Sequence, residues 1–259
     1  MTTRERPPGA RRAPSAAPRA GDPLPRGAAK SEMVRSMFDT IAPRYDLVNR
    51  LMTFGLDRGW RRHAIRMLRL APGSTVLDLA CGTGDLAREL RAGGHRSVGV
   101  DLSIGMLAAA RPGGAPLLQA DAEELPFRSG SFDGIVSGFA VRNFADLARV
   151  LAECARVLRP GGRIALLDVD TPQSVLLRAG HHLWFTSVVP RLGAAISDGD
   201  AYRYLPRSVE YLPPRDELLA IVSGAGFLSA SHRRLSGGIT QVVTATRSGA
   251  PGLAPPAAP

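Results

Sequence analysis

Cysteine is scarce in this 259-residue chain, which holds only Cys81 and Cys154, far apart and without a second thiol or a histidine at ligand spacing. That pattern supports neither a disulfide framework nor a zinc site, and both thiols are expected to be free and buried. No stretch approaches the roughly 18 consecutive apolar residues that a membrane span needs. A charged start followed by an apolar run, the mark of a secretory leader, is also missing, so a cytoplasmic location is expected. The length suits one large α/β domain with a full core and strains to hold two. No internal repeat is visible.

Acidic residues are almost absent from the first thirty positions, where six Arg and one Lys face only Glu5 and Asp22 among six Pro and seven Ala. Residues 1–30 therefore read as a disordered basic tail that cannot bury enough apolar surface to fold. The tail carries +5 of the formal net charge of +10, so the remainder is only mildly basic. Long-range attraction to nucleic acid or to an anionic membrane is open to such a tail, but a solvated extension is the expected reading and no nucleic-acid partner is expected. Its resemblance to a transit peptide is superficial, because Pro7, Pro8, Pro14, Pro18, Pro23 and Pro25 would break the amphipathic helix that one requires.

From Ser31 to Leu70, Met33, Met37, Ile41, Ile65 and Leu68 recur at helical spacing around Pro43 and Gly55, predicting a helical N-terminal lobe. Thr75 to Leu79 is a short apolar run that ends in Ala80-Cys81-Gly82-Thr83-Gly84, with a helix expected from Asp85 to Arg91. Further strands are expected over Ser97–Val100, Pro116–Gln119, Phe132–Ser137 and Arg163–Leu167. The helices between them are Ile104–Ala110, N-capped by Ser103, and Leu147–Val157, stopped by Pro160-Gly161-Gly162. Such alternation predicts a doubly wound, mostly parallel sheet covered on both faces. Residues 171–207 interrupt it with Leu176, Leu177, Leu183, Trp184, Phe185, Val188 and Val189, read as a cap or as core packing. Phe227–Leu235 and Ile239–Thr246 follow a helix at Arg215–Ser223 and are joined by Ser236-Gly237-Gly238, a connection short enough only for antiparallel neighbours. The folded domain is thus expected over residues 31–247, with a second Pro/Ala-rich tail over 248–259.

Gly82 and Gly84 let backbone approach a ligand, and the helix start beyond them offers free N–H groups. Gly82 to Ala87 also satisfies the G-x-G-x-x-A form of a dinucleotide turn, with Asp101 near the place of a ribose-binding carboxylate, so a nicotinamide enzyme is a rival reading. Three downstream features favour S-adenosylmethionine: Asp121 to Phe127 after the third strand, the Phe132-Asp133 start of the fourth, and the terminal hairpin of a class I methyltransferase fold. On that reading Asp101 accepts from both ribose hydroxyls, with an N-cap role as the alternative. The Asp121 carboxylate would take the adenine amino group and the Ala122 N–H a ring nitrogen, unless Asp121 is only a turn residue.

The chain resembles the ubiquinone/menaquinone biosynthesis C-methyltransferase family in Met37 to Asn49, Leu77 to Asp85, Asp121 to Phe127, Phe139-Ala140-Val141-Arg142-Asn143, Arg156 to Gly162 and Ala201 to Ser208. The likeness covers about residues 33 to 240 and rests mainly on the first, fourth and last of these. It implies S-adenosylmethionine at Thr83, Asp101, Asp121 and Ala122, and a prenylated quinol or other aromatic acceptor. It also implies peripheral contact with the membrane and is compatible with a homo-oligomer. Gly138 stands where the family has a Ser, Asp168-Val169-Asp170 replaces Glu-Phe-Ser, and Gln241-Val242-Val243 falls where a His is usual. These departures concern the acceptor rather than the methyl donor.

Methylating a ring carbon needs a hydroquinone whose neighbouring hydroxyl loses its proton, held in line with the departing sulfur, and needs no metal. Arg142 and Asn143, past the fourth strand at the carboxyl edge where ligands bind in such sheets, are the catalytic candidates. Arg142 would stabilise the phenolate or act through water, and Asn143 would fix the ring oxygen. An ion pair of Arg142 with Asp46 or Asp146 is the structural alternative. Tyr45, Tyr202 and Tyr204 are candidates to line the acceptor site, with packing as the other reading. His181 and His182 are conceivable bases but read more readily as structural groups. Two further rivals are a methyltransferase of the same fold acting on a soluble aromatic or polyketide, and a noncatalytic S-adenosylmethionine-binding regulator.

Overall fold

The computed structural model describes residues 24–184, 187, 189, 204 and 207–249; the side chains of His181 and His182, and the whole of Tyr202, Phe185 and Val188, lie outside that set. Seven strands form one sheet: β1 Thr75–Leu79, β2 Arg96–Asp101, β3 Leu117–Gln119, β4 Phe132–Gly138, β5 Leu158–Val169, β6 Phe227–Leu235 and β7 Thr240–Arg247. Their order is β3-β2-β1-β4-β5-β7-β6. β1 to β5 run parallel, and β7 slots antiparallel between β5 and β6.

Period-two alternation sorts the strand residues onto two faces. Leu77, Ile135, Leu166 and Val243 pack against α6 (Leu147–Val157) and the helix Arg215–Gly224. Their strand neighbours Val76, Val136, Leu167 and Val242 pack instead against α3 (Leu56–Leu68) and α4 (Asp85–Ala92). Both faces are dry because helices cover both, as the paired apolar residues Val76-Leu77 of β1 and Ile135-Val136 of β4 require.

The N-terminal lobe is built from α1 (Gly27–Ile41) and α2 (Tyr45–Met52), joined by a 3₁₀ turn at Ala42–Arg44 that Pro43 permits. Val34, Met37, Ile41, Val48 and Met52 make its core with Met106 of α5 (Ile104–Ala109). Docking is polar at one point: the Asp39 carboxylate accepts from Ser103 Oγ at 2.6 Å and from Gly105 N at 2.9 Å. Ser103 is also the expected N-cap of α5, its hydroxyl accepting from Met106 N.

Two boundaries differ from the sequence reading. Helix α1 begins at Gly27, inside the stretch assigned to the tail, because Lys30 and Val34 are buried and tether its first turns. Pro160-Gly161-Gly162 does not close off the chain before the fifth strand but lies within it. Phe132 pairs with Leu158 and Gly134 with Arg163, so the triplet bulges out, with Gly161 at φ 76°. The apolar residues of the interrupting segment do form a helix over its described start, α7 (Val175–Leu183).

A Cβ at Gly105 would lie 2.8 Å from the Asp39 Cα, so α1 and α5 approach too closely for a side chain there. Gly105→Ala is expected to lower folding stability by about 1–3 kcal/mol, read as a reduced denaturant midpoint at unchanged m value.

Candidate active site

Two cavities open where the carboxyl ends of the parallel strands meet the N-terminal lobe. The smaller, about 110 Å³, is bordered by Gly82, Asp101, Asp121 and Ala122, which the sequence singled out, together with Asn143. At Gly82 the backbone is left-handed, φ 52°, and an added Cβ would meet nothing within 4 Å, so the turn is open toward a ligand. Gly82 N donates to Asp101 Oδ2 at 2.7 Å and Ser103 N to Oδ1 at 2.9 Å. These contacts orient the carboxylate and leave it lone pairs for hydroxyl donors. Burial pushes the Asp101 pKa up, and the two N–H donors oppose that shift. The N-cap role belongs to Ser103, not to Asp101. Asp121 does make a turn, accepting from Glu123 N at 2.9 Å, and also borders the cavity.

Thr83 and Gly84 stand apart from the residues bordering either cavity. The Thr83 hydroxyl donates to Asp46 of α2 at 2.5 Å, fastening the glycine turn to the N-terminal lobe. Gly84 serves packing: its φ is 81°, and a Cβ would sit 3.0 Å from the Pro112 Cα. Gly138, in place of the family's serine, does border the small cavity, and a side chain there would approach Leu86 Cδ1 to 3.0 Å. Ser137 does not substitute, since its hydroxyl is buried and donates to Leu79 O at 2.8 Å.

The larger cavity, about 650 Å³, is mainly apolar and lies between the lobe, α3, α7 and the ends of β5 and β7. Phe38, Tyr45 and Phe139 border both cavities and so form a shared wall. Phe139 is held from several sides: its ring meets Trp60 edge-on at 6.3 Å, and the Arg61 guanidinium lies 5.6 Å from its centroid. Its backbone is left-handed at φ 63°, a conformation that costs a non-glycine residue of order 1–3 kcal/mol and needs surrounding support.

Arg142 supplies that support. Its side chain, 8% exposed, forms an ion pair with Asp168, donates through Nη1 to the Phe139 carbonyl at 2.9 Å, and donates through Nε to Ser208 Oγ at 3.0 Å. The ion pair considered from sequence therefore exists, but with Asp168 rather than Asp46 or Asp146, and Arg142 still borders the larger cavity. The family's acid at this place is thereby retained as a shorter carboxylate. Asn143 donates to Phe139 O and accepts from the Tyr204 hydroxyl, each at 3.4 Å. Asn143 faces the small cavity and not the large one.

Of the tyrosines, Tyr45 stands in the shared wall, where burial raises its pKa against the opposing charges of Arg61 and Arg142. Tyr204 is fully buried in the lobe core and is not among the residues bordering either cavity, because its ring is spent on packing beside Tyr211. Tyr202 lies outside the described residues. Where the family carries a histidine, Val243 packs in the core and Gln241 donates to Val169 O at 2.9 Å. His232 on the neighbouring β6 contacts that amide at 2.6 Å.

The β1 turn alone is shared with dinucleotide enzymes, and the pairing of β7 with both β5 and β6 separates the two alternatives: this is a class I methyltransferase fold. Solved structures agree. An S-adenosylmethionine-dependent methyltransferase of Thermotoga maritima aligns at TM-score 0.60 and 22% identity, covering 82% of this chain and 99% of that one. Phosphoethanolamine N-methyltransferase 2 of Haemonchus contortus, in complex with S-adenosyl-L-methionine, aligns at TM-score 0.60 and 15% identity over 83% of this chain and 60% of that one. The profile of the ubiE/COQ5 methyltransferase family matches residues 26–247, and the chain belongs to that family. The ubiquinone/menaquinone biosynthesis C-methyltransferase UbiE of Syntrophotalea carbinolica is 46% identical over 222 residues, covering 83% of this chain and 94% of the relative. Demethylmenaquinone methyltransferase of Thermus thermophilus is 43% identical over 215 residues, covering 80% and 97%. The chain is an S-adenosylmethionine-dependent methyltransferase.

Phe38, Ala80 and Phe139 are site residues that the sequence reading did not single out for binding. Phe139 had a signal, since it opens the Arg142-Asn143 motif; the left-handed φ of Ala80 and Phe139 had none. Asp168→Ala would leave Arg142 buried without its counter-charge, so a loss of about 3–5 kcal/mol is expected. Arg142→Met combined with Asp168→Leu should recover much of it, as read in a double-mutant cycle of denaturant midpoints.

Proposed function

We propose that the chain methylates a ring carbon of a prenylated quinol, with demethylmenaquinol as the first acceptor to test. The observation that carries this reading is the large apolar cavity sharing the wall Phe38, Tyr45 and Phe139 with the cofactor cavity. A ring against that wall faces the donor, and an isoprenoid chain fits the apolar remainder. The activities for which the relatives from Syntrophotalea and Thermus are named point to the same acceptor class.

The residues fit S-adenosylmethionine: an open glycine turn, an oriented Asp101, and Asp121 and Glu123 carboxylates around a site for a cationic ligand. When bound, S-adenosylmethionine supplies an electrophilic sulfonium methyl. Asp101 would hold the ribose hydroxyls, and Asp121 with the Ala122 N–H the adenine edge. Arg142, fixed by Asp168 at the border of the acceptor cavity, would face a developing phenolate with a preorganised cation. Tyr45 stays protonated, since burial raises its pKa, and acts as a hydrogen-bonding wall rather than a base. Asn143, held by Phe139 O and Tyr204, would act from the donor side by positioning that wall.

The rim of the acceptor cavity supports a reading of peripheral membrane contact. Phe54, Leu56, Leu176 and Leu177 border the acceptor cavity and are exposed, Phe54 at 72% and Leu176 at 82%. Exposed Arg50, Arg58 and Arg178 accompany them. Apolar insertion beside basic residues suits an anionic lipid surface, from which a polyprenyl chain could enter the cavity. Among the described residues no helix is long and apolar enough to cross a membrane.

The first experiment measures transfer from labelled S-adenosylmethionine to a reduced demethylmenaquinone analogue, a demethylated benzoquinol and a small soluble phenol. Methylation of the naphthoquinol in preference to the other two is expected; preference for the phenol would favour the soluble-aromatic reading, and binding without turnover a regulator. Sedimentation with anionic phospholipid vesicles is expected to fall about tenfold for Phe54→Ser with Leu176→Ser, while turnover of a short-chain acceptor persists.

A further inference from the structure

One residue bordering the acceptor cavity, Thr240, has a side-chain oxygen without a partner among the described residues. Thr240, the first residue of β7, is 1% exposed, and its Oγ1 finds no hydrogen-bond partner among the described residues. Its backbone is fixed on both sides, in register with Val169 of β5 and Leu235 of β6. Buried hydroxyls are almost always satisfied, and an orphan at a cavity wall marks a place where a ligand or a water completes the bond.

Four other polar residues bordering the cavity are already engaged. Trp60 Nε1 donates to Ser236 Oγ at 2.8 Å, and Thr53 Oγ1 donates to Asp57 at 3.0 Å. The Arg178 guanidinium bonds the carbonyls of Pro172 and Gln173, and Arg142 is held by Asp168, Ser208 and Phe139. Thr240 shares its sheet face with Val242, in the cluster that contains Trp60 and Phe139, and its own cavity neighbours Val169 and Ile239 are apolar. A hydroxyl among such groups can both donate and accept, which suits a ring oxygen in either its protonated or its ionised form.

We infer that the Thr240 hydroxyl is a specificity determinant that hydrogen-bonds the acceptor's second ring oxygen, the one not adjacent to the methylated carbon. This inference rests on the proposed quinol acceptor. Arg142 and Thr240 would then grip the two oxygens of one ring, fixing its rotation within an otherwise apolar cavity. A site built to hydrogen-bond a substrate oxygen also rejects analogues lacking it, because its own polar group is left unpaired.

Thr240→Val keeps the β-branched shape and removes only the hydroxyl; Thr240→Ser keeps the hydroxyl. Steady-state kinetics with the preferred quinol should show KM for the acceptor raised about tenfold in Thr240→Val, the worth of one hydrogen bond. KM for S-adenosylmethionine and Tm should be undiminished in that variant, and Thr240→Ser should behave as the unmodified chain. An acceptor analogue lacking the second ring hydroxyl separates recognition from intrinsic reactivity. The unmodified chain should discriminate against it about tenfold more than Thr240→Val does. Equal acceptor KM in the two chains, equal discrimination, or a loss confined to Tm overturns the role of Thr240 and leaves the quinol reading standing. Failure of the unmodified chain to methylate any quinol overturns that reading itself, and the role of Thr240 with it.

Discussion

The contact of Arg142 with Asp168 joins the end of β4 to the end of β5 and holds between them a phenylalanine whose backbone would not otherwise rest where it does. Phe139 at φ 63° turns its ring into the wall between two cavities. Its carbonyl is caught by Arg142 Nη1 and Asn143 Nδ2, and its N–H donates to Leu167 O at 2.7 Å. Both charges of the pair are nearly dry, which makes it a weak source of net stability but a stringent geometric constraint, since losing either partner strands the other. Position, rather than stability, is what a wall shared by two cavities requires.

Seen from that wall, the sheet order has a functional reason. β1 and β4 are neighbours, and each is followed directly by a left-handed non-glycine residue, Ala80 and Phe139. The glycine turn and the aromatic wall are thus anchored on adjacent strands. The N-terminal lobe closes the remaining side, with Thr83 bonded to Asp46 and Asp39 to Ser103 and Gly105, and it contributes Phe38 and Tyr45 to the same wall. The lobe therefore completes the site and is not an appendage to it.

Much of this was legible in the sequence because the signals are local. The strand runs, the Ser103 cap, the glycine turn and the short final connection each follow from spacing or composition, and they place Gly82, Asp101, Asp121 and Ala122 around one cavity. What escaped was tertiary. Thr83 looks like a ligand residue within its turn, but Asp46 reaches it across 37 positions. Tyr204 sits in a motif and yet is consumed by packing, while Arg142 finds its counter-ion 26 positions away, in the triplet read only as a departure from the family. Pro160-Gly161-Gly162 reads as a terminator from composition, yet β5 has a partner strand on each side and absorbs the triplet as a bulge.

That departure triplet also links the two cavities to the antiparallel end of the sheet. Asp168 pairs in register with Gln241, Val169 with Thr240, and Asp170 N donates to Ile239 O at 2.9 Å. The strand whose Asp168 holds Arg142 thus also fixes the place of Thr240 at the border of the larger cavity. Because side chains alternate, Asp168 turns to one face to meet Arg142 while Val169 turns to the other beside Thr240. A one-residue slip between β5 and β7 would exchange Thr240 for a neighbour on the opposite face. The antiparallel insertion of β7 that distinguishes this fold from dinucleotide enzymes is therefore also what brings Thr240 to the border of the mainly apolar cavity that Arg142, held by Asp168 of β5, borders too.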